Sequence, residues 1–181
     1  MDVVELDPKL TEIAYIHFNL PKSDRLNVFH EDARTFVNSS NEKYDAIMID
    51  AFTGSAAIPF QLTTKEFFTN LDKILTDDGI VIMNTISSIE GPYGKFLRAE
   101  HQTFKSVFPY VYIFPVSYPK AEEQVQNIII VASKKEIENS STDLEIQEYL
   151  SHVWKKRIVN DQFILTDDFA PVEQFEAEMY N

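Results

Sequence analysis

The sequence predicts an α/β fold: a mostly parallel sheet with helices on both faces and an antiparallel hairpin at its carboxyl-terminal end. Three observations predict it. Short apolar runs of strand length alternate with segments of helical period, the pattern of βαβ units. One run, residues 46–49, is continuously apolar rather than alternating, which reads as a strand buried on both faces. The last two runs, residues 111–114 and 126–132, are joined by a loop containing Pro115 and Pro119, with no crossover helix between them. Such a pair is antiparallel.

The elements follow in order. Residues 3–6 form a short strand, and Asp7-Pro8 opens a helix, with Asp accepting from the first free amides and Pro fitting the first helical position. Leu10, Ile13, Ala14 and His17 share one face of that helix, which stops near Asn19-Leu20-Pro21. Residues 26–30 are a second strand, followed by Glu31-Asp32-Ala33-Arg34 and a short helix carrying Phe36 and Val37. After the central strand comes a loop with Gly54 and Pro59, and then Thr63-Thr64-Lys65-Glu66, which has the form of a capping box with Thr63 at the cap. Phe67, Phe68, Leu71, Ile74 and Leu75 give the next helix a clear apolar stripe. Asp77-Asp78-Gly79 ends it, residues 80–83 are a buried strand, and Phe96, Leu97, Phe104, Val107 and Phe108 mark another helix ahead of the hairpin. Thr142 and Glu145 cap a last helix with Leu144, Leu150, Val153 and Trp154 on its apolar face, and residues 165–173 are an extended, docked tail. Residues 1–135 thus make the main α/β body, and residues 136–181 its carboxyl-terminal helix and tail, all within one domain.

Composition narrows the function classes. Hydrophobic residues at 44% and aromatics at 13% specify a folded globule. No apolar run is long enough to span a bilayer, and the first residues lack the basic flank of a signal peptide. No membrane association is expected. Cysteine is absent, which excludes disulfides and thiolate metal sites and fits a cytoplasmic protein. The formal net charge of −13 argues against a nucleic-acid partner and is compatible with a cationic ligand. His17, His30, His101 and His152 are isolated, so no metal site is expected.

Chemistry is expected at the carboxyl ends of the strands, where ligands of open α/β sheets bind. Glu5 toward the end of the first predicted strand, Asp32 after the second and Asp50 after the third fall along one rim of the sheet. Such carboxylates can accept ribose hydroxyls, accept from an adenine amino group, or take a proton from an incoming nucleophile. Each acid alone is equally at home as a turn or helix cap.

Val4-Glu5-Leu6-Asp7-Pro8, Glu31-Asp32-Ala33-Arg34, the 44–50 stretch ending in Asp50, and Leu62-Thr63-Thr64-Lys65-Glu66-Phe67-Phe68 resemble the successive motifs of the spermidine synthase (polyamine aminopropyltransferase) family. Asp78-Gly79-Ile80-Val81 with Asn84 fits the same pattern, as does the Asp168-Phe169-Ala170-Pro171-Val172-Glu173 tail. The resemblance implies a Rossmann-like, methyltransferase-type fold, often dimeric; a homodimer is expected here because a sheet without its central strand exposes backbone edges that invite pairing with another chain. The resemblance also implies decarboxylated S-adenosylmethionine or S-adenosylmethionine as donor substrate, with no tightly bound cofactor, and a small-molecule amine as acceptor. Glu5 would hold the ribose, Asp32 with Ala33 would face the adenine, and Asp50 would be the catalytic acid-base residue.

The chain departs from the family pattern in two places. It opens at the position of the second strand, without the glycine-rich first strand-turn or an amino-terminal β-hairpin domain, and its four glycines all lie elsewhere. The strands of Glu5 and Asp50 then either pair directly, or flank a place filled by a longer chain or by another chain. Three residues after Asp50, where the family commonly has a second acid at the substrate site, stands Thr53. Three functions follow as alternatives: an aminopropyltransferase, an S-adenosylmethionine-dependent methyltransferase with another acceptor, and a non-catalytic or regulatory domain.

Overall fold

A computed structural model describes residues 1–52, 58–117, 122–138 and 140–180, with only the backbone of Tyr180. The chain divides into two compact units, Met1–Asn41 and Glu42–Asn181.

The first unit is a strand-helix-strand-helix run: β1 (Asp2–Val4), α1 (Pro8–His17), β2 (Asn27–Phe29) and α2 (Ala33–Ser39). β1 and β2 pair in parallel, with Val3 opposite Val28. Asp7 caps α1 as its sequence predicts, its side chain accepting from the Lys9 amide at 2.9 Å with Pro8 at the first turn. The expected apolar face of α1 is only half realised. No residue of α1 is buried, and Leu10 and Ile13 are 52% and 42% exposed. Leu10 and Ala14 instead line a shallow, mainly apolar hollow of about 190 Å³ with Val3, Leu20, Leu26 and Val28. That volume is below the range of small-molecule pockets. It is a gap in a thin core.

The second unit holds β3 (Tyr44–Ile49), α3 (Lys65–Ile74), β4 (Leu75–Ser87), α4 (Lys95–Lys105), β5 (Tyr110–Pro115), β6 (Gln126–Ser133), α5 (Leu144–Ser151) and α6 (Val172–Tyr180). Its sheet runs β3-β4-β6-β5, parallel between β3 and β4 and antiparallel thereafter. The hairpin predicted from the missing crossover is present. Among the described residues the strands form two sheets, one in each unit.

From Gly79 onward β4 alternates strictly. Val81, Met83, Thr85 and Ser87 are buried, while Ile80, Ile82, Asn84 and Ile86 are partly exposed. α3 and α4 pack against β4, and the helical stripe of Phe67, Phe68, Leu71 and Ile74 is buried as its spacing predicts. Phe68 stacks on Phe104 of α4 with ring centroids 3.8 Å apart. β3 corrects the sequence reading. Ala46 is exposed and Met48 is 76% exposed, so the continuous apolar run is not buried on both faces. Among the described residues β3 is the outer strand of its sheet, paired on one side only.

Four smaller corrections concern helix ends. α3 ends at Ile74, so Leu75 and Asp77-Asp78-Gly79 lie in β4 rather than closing the helix. Thr64, not Thr63, caps α3, accepting from the Phe67 amide at 3.3 Å. Asp143, not Thr142, caps α5, and Leu144 is 80% exposed. The tail is docked as expected, but from Val172 it is helical rather than extended. Its docking is dense. Arg98 donates to both carboxylate oxygens of Asp161 at 2.7 and 3.0 Å, and this contact holds the Asp161 carboxyl below the usual carboxylate range. Thr64 donates to Asp167 at 2.7 Å, and the Asp167 amide donates to Glu66 at 3.0 Å. The Leu165 amide donates to the buried Thr103 hydroxyl at 2.9 Å, and the Leu165 side chain is fully buried.

Candidate functional site

The parallel pairing of β3 with β4 puts Ile49 opposite Met83. The next residue on each strand is therefore Asp50 and Asn84, adjacent at the carboxyl end of β3. Asn84 Nδ2 donates to Asp50 Oδ1 at 3.0 Å. Asn127 of β6 completes a row across the strands, its Nδ2 donating to Asn84 Oδ1 at 3.0 Å. Asp50 is exposed, so its carboxylate is accessible from solvent. Among the described residues its Oδ2 carries no hydrogen bond, leaving an acceptor for an incoming donor.

Glu5 and Asp32 both lie just past the carboxyl ends of the parallel pair β1 and β2, the edge their spacing predicts. Each also serves its own backbone. Glu5 Oε1 accepts from the Asp7 amide at 2.8 Å. Asp32 caps α2, its Oδ1 accepting from the Thr35 amide at 3.0 Å, and Ala33 is the first residue of that helix. The capping role and the ligand role stay compatible, because each carboxylate has a second oxygen. Glu5 and Asp32 belong to the first unit and Asp50 to the second. Thr53 lies outside the described residues.

Sequence reasoning singled out Asn84 only as part of a motif, and it missed Asn127. Their juxtaposition depends on the register of β4 against β6, where Asn84 faces Ile129 and Ile86 faces Asn127. A polar residue in an otherwise apolar strand was the available signal. Among the described residues, no group of three or more His, Asp or Glu could hold a metal ion, and no helix is long and apolar enough to cross a membrane.

One buried acid lies away from this row. Glu100 of α4 is fully buried, and neither carboxylate oxygen has a hydrogen-bond partner. Burial pushes its carboxyl up to about 8, offset slightly by the Thr85 hydroxyl, which lies beside it but outside hydrogen-bonding geometry. Glu100 is therefore protonated at neutral pH and supplies no negative charge to the fold. Its neighbour His101 is held neutral, pushed down to about 4 by burial and then by Lys105.

Known proteins place the chain. Residues 1–141 match the spermine/spermidine synthase domain. A polyamine aminopropyltransferase of Vibrio vulnificus is 28% identical over 185 residues, covering 94% of this chain and 60% of that protein. An N-terminal histidine N-methyltransferase of Emericella nidulans is 34% identical over 138 residues, covering 73% of this chain and 24% of that protein. The crystal structure of a probable spermidine synthase from Corynebacterium glutamicum superposes with a TM-score of 0.65 at 28% identity, covering 80% of this chain and 50% of that one. The chain thus spans less than two thirds of the length of each of these proteins. Its fold is the Rossmann-like fold of these transferases, which agrees with the strand-helix order read from the sequence. With more than half its residues inside the domain match, the chain belongs to the spermine/spermidine synthase family.

Proposed function

We propose that this chain carries the catalytic half of an aminopropyltransferase that takes its donor from decarboxylated S-adenosylmethionine and delivers the aminopropyl group to an amine. The observation that carries the reading is Asp50. It is an exposed carboxylate at the carboxyl end of a parallel strand, with one oxygen held by Asn84, in a chain of this family. In this reading Glu5 holds the ribose, Asp32 with Ala33 faces the adenine, and Thr53 meets the acceptor.

The reaction is a single displacement. The lone pair of the amine nitrogen forms a bond to the methylene carbon next to the sulfonium. The C–S bond breaks, its electron pair returns to sulfur, and methylthioadenosine leaves. The proton lost by the nitrogen passes to Asp50. The sulfonium is already a good leaving group, so the protein's work is to align the nucleophile and keep it unprotonated. The acidity of the chain favours a cationic acceptor. Thr53 cannot balance a second ammonium as an acid would, which directs the reading toward an acceptor other than a standard polyamine.

A second reading, methyl transfer from S-adenosylmethionine to nitrogen, is favoured by the N-methyltransferase relative, whose identity of 34% is the higher of the two relatives compared. It uses the same acids and the same displacement on a smaller group. Thermal-shift titration with decarboxylated S-adenosylmethionine, S-adenosylmethionine and methylthioadenosine separates the two. A ligand at 100 times its Kd stabilises the native state by about 2.7 kcal/mol. Preference for the decarboxylated donor, lost in Glu5→Gln and Asp32→Ala, is the expected outcome. Preference for S-adenosylmethionine installs the second reading. No shift with any of them leaves a non-catalytic domain.

A further inference from the structure

Asn84 and Asn127 are the two amides in an otherwise aliphatic strip of sheet. Their neighbours on the same face of β4 and β6 are Ile82, Ile86, Ile129 and Val131. The amides form a row with a single polarity: Asn127 Nδ2 donates to Asn84 Oδ1, and Asn84 Nδ2 donates to Asp50 Oδ1, each at 3.0 Å. The row ends on a group that, when ionised, only accepts.

We propose that Asn127 and Asn84 are positioning residues that hold the Asp50 carboxylate in one orientation, with Oδ1 committed to the sheet and Oδ2 kept for the nucleophile. This rests on the reading of Asp50 as the base. The physical argument turns on the amide flip. A carboxamide can turn end over end at little steric cost, and turning Asn84 would aim its carbonyl oxygen at the carboxylate. Asp50 opposes the turn, because its carboxylate only accepts, and Asn127 adds to it: turning Asn84 alone would also set its NH2 group against the NH2 of Asn127, so both amides would have to turn together. Two like-with-like contacts replace two hydrogen bonds. Charge assistance at the Asp50 end makes that bond the strongest of the row. Asn127 touches no reacting atom and acts only through Asn84.

The row makes an unusual ordering of variants. Asn127→Ala removes the restraint on Asn84 but offers nothing against it. Asn127→Asp has the better shape, yet its carboxylate accepts only. It competes with Asp50 for the Asn84 NH2 group, and each time it takes that group the Asn84 carbonyl is turned onto Asp50. The closer isostere is therefore the more harmful change.

The test has two arms on the full chain. With decarboxylated S-adenosylmethionine and the primary monoamine n-butylamine as probe acceptor, Asn84→Ala lowers kcat about 10- to 100-fold with the KM for the donor unchanged. Asn127→Ala lowers kcat less, and Asn127→Asp lowers it more than Asn127→Ala. The other arm needs no turnover: in ¹⁵N-labelled protein, the Asn84 side-chain NH2 protons show nuclear Overhauser contacts to the Asp50 β-protons, weakened in Asn127→Asp. Equal contacts in Asn127→Asp and wild type overturn the proposal, as do Asn127 variants ordered by shape alone. If Asp50→Asn retains activity, the base reading falls while the amide arm still decides the row. If the chain turns over neither probe, the amide arm decides alone.

Discussion

Residues 1–41 and residues 42–181 alternate strand and helix in the same way, yet they bury their apolar residues to very different extents. In the second unit Phe67, Phe68, Leu71, Leu97, Phe104 and Phe108 are all at most 2% exposed. In the first, Val37 is the only buried hydrophobic residue, and α1 buries none at all. The sequence patterns are similar in kind. The difference lies in layers: β4 has α3 and α4 against one face, whereas two three-residue strands offer α1 little to cover. An amphipathic period states what a helix is able to bury, and the partner layer decides how much of it is buried.

The largest expected effect is in the thick core. Phe104→Ala removes the ring stacked on Phe68 and leaves a cavity, which costs about 3–5 kcal/mol. Urea denaturation followed by the fluorescence of Trp154, the sole tryptophan, measures it in the second unit. A loss below about 1 kcal/mol would show that this core tolerates gaps as the first unit does.

Next comes Glu100. Its folded-state carboxyl titrates near 8 against an ordinary 4.5, so between those values the native state binds the proton that the unfolded state has released. Stability therefore falls as pH rises through that window. His101 works the other way. With its folded value near 4 against 6.5, its contribution is present above 6.5 and lost as pH falls toward 4. The two slopes oppose each other between about 4.5 and 6.5, and Glu100 acts alone from there to about 8. Glu100→Gln is expected to gain on wild type across that upper range, by about 2–4 kcal/mol at its end. The same urea titration repeated at stepped pH checks it, and parallel profiles for the two proteins would refute a protonated Glu100.

Smaller effects belong to the thin unit. Asp32→Ala deletes the cap of α2 and costs about 1 kcal/mol, read as faster amide exchange across Ala33–Ser39. Ile13→Ser, at a half-exposed position of α1, stays within about 0.5 kcal/mol. If Ile13→Ser proves as costly as Phe104→Ala, the contrast between the units is wrong.

What the sequence made legible follows the same line. The α3 stripe was readable because its residues meet a layer formed by the same chain. Asp7 was readable as a cap because capping is local. β3 was misread because a continuous apolar run says nothing about whether its strand lies inside or at the margin of a sheet, and Met48 lies at the margin. α6 was missed although Pro171, Glu173 and the Val172 and Phe175 spacing mark a helix start, and both of those apolar residues are buried. Asp50 was visible from its place after a strand. The Asn84–Asn127 row was not, because cross-strand register is absent from a linear pattern.

The docked tail has a consequence for how this protein is made. Leu165 seals the interior beneath α3 and α4, and its backbone bridges the Lys65 amide and the Thr103 hydroxyl. A ribosome therefore releases the two aromatic helices well before it delivers the plug that closes over them. Through that interval the nascent chain carries an unsealed greasy seam, and stretches of messenger slow to translate downstream of α4 would lengthen its exposure to chaperones and to neighbouring chains.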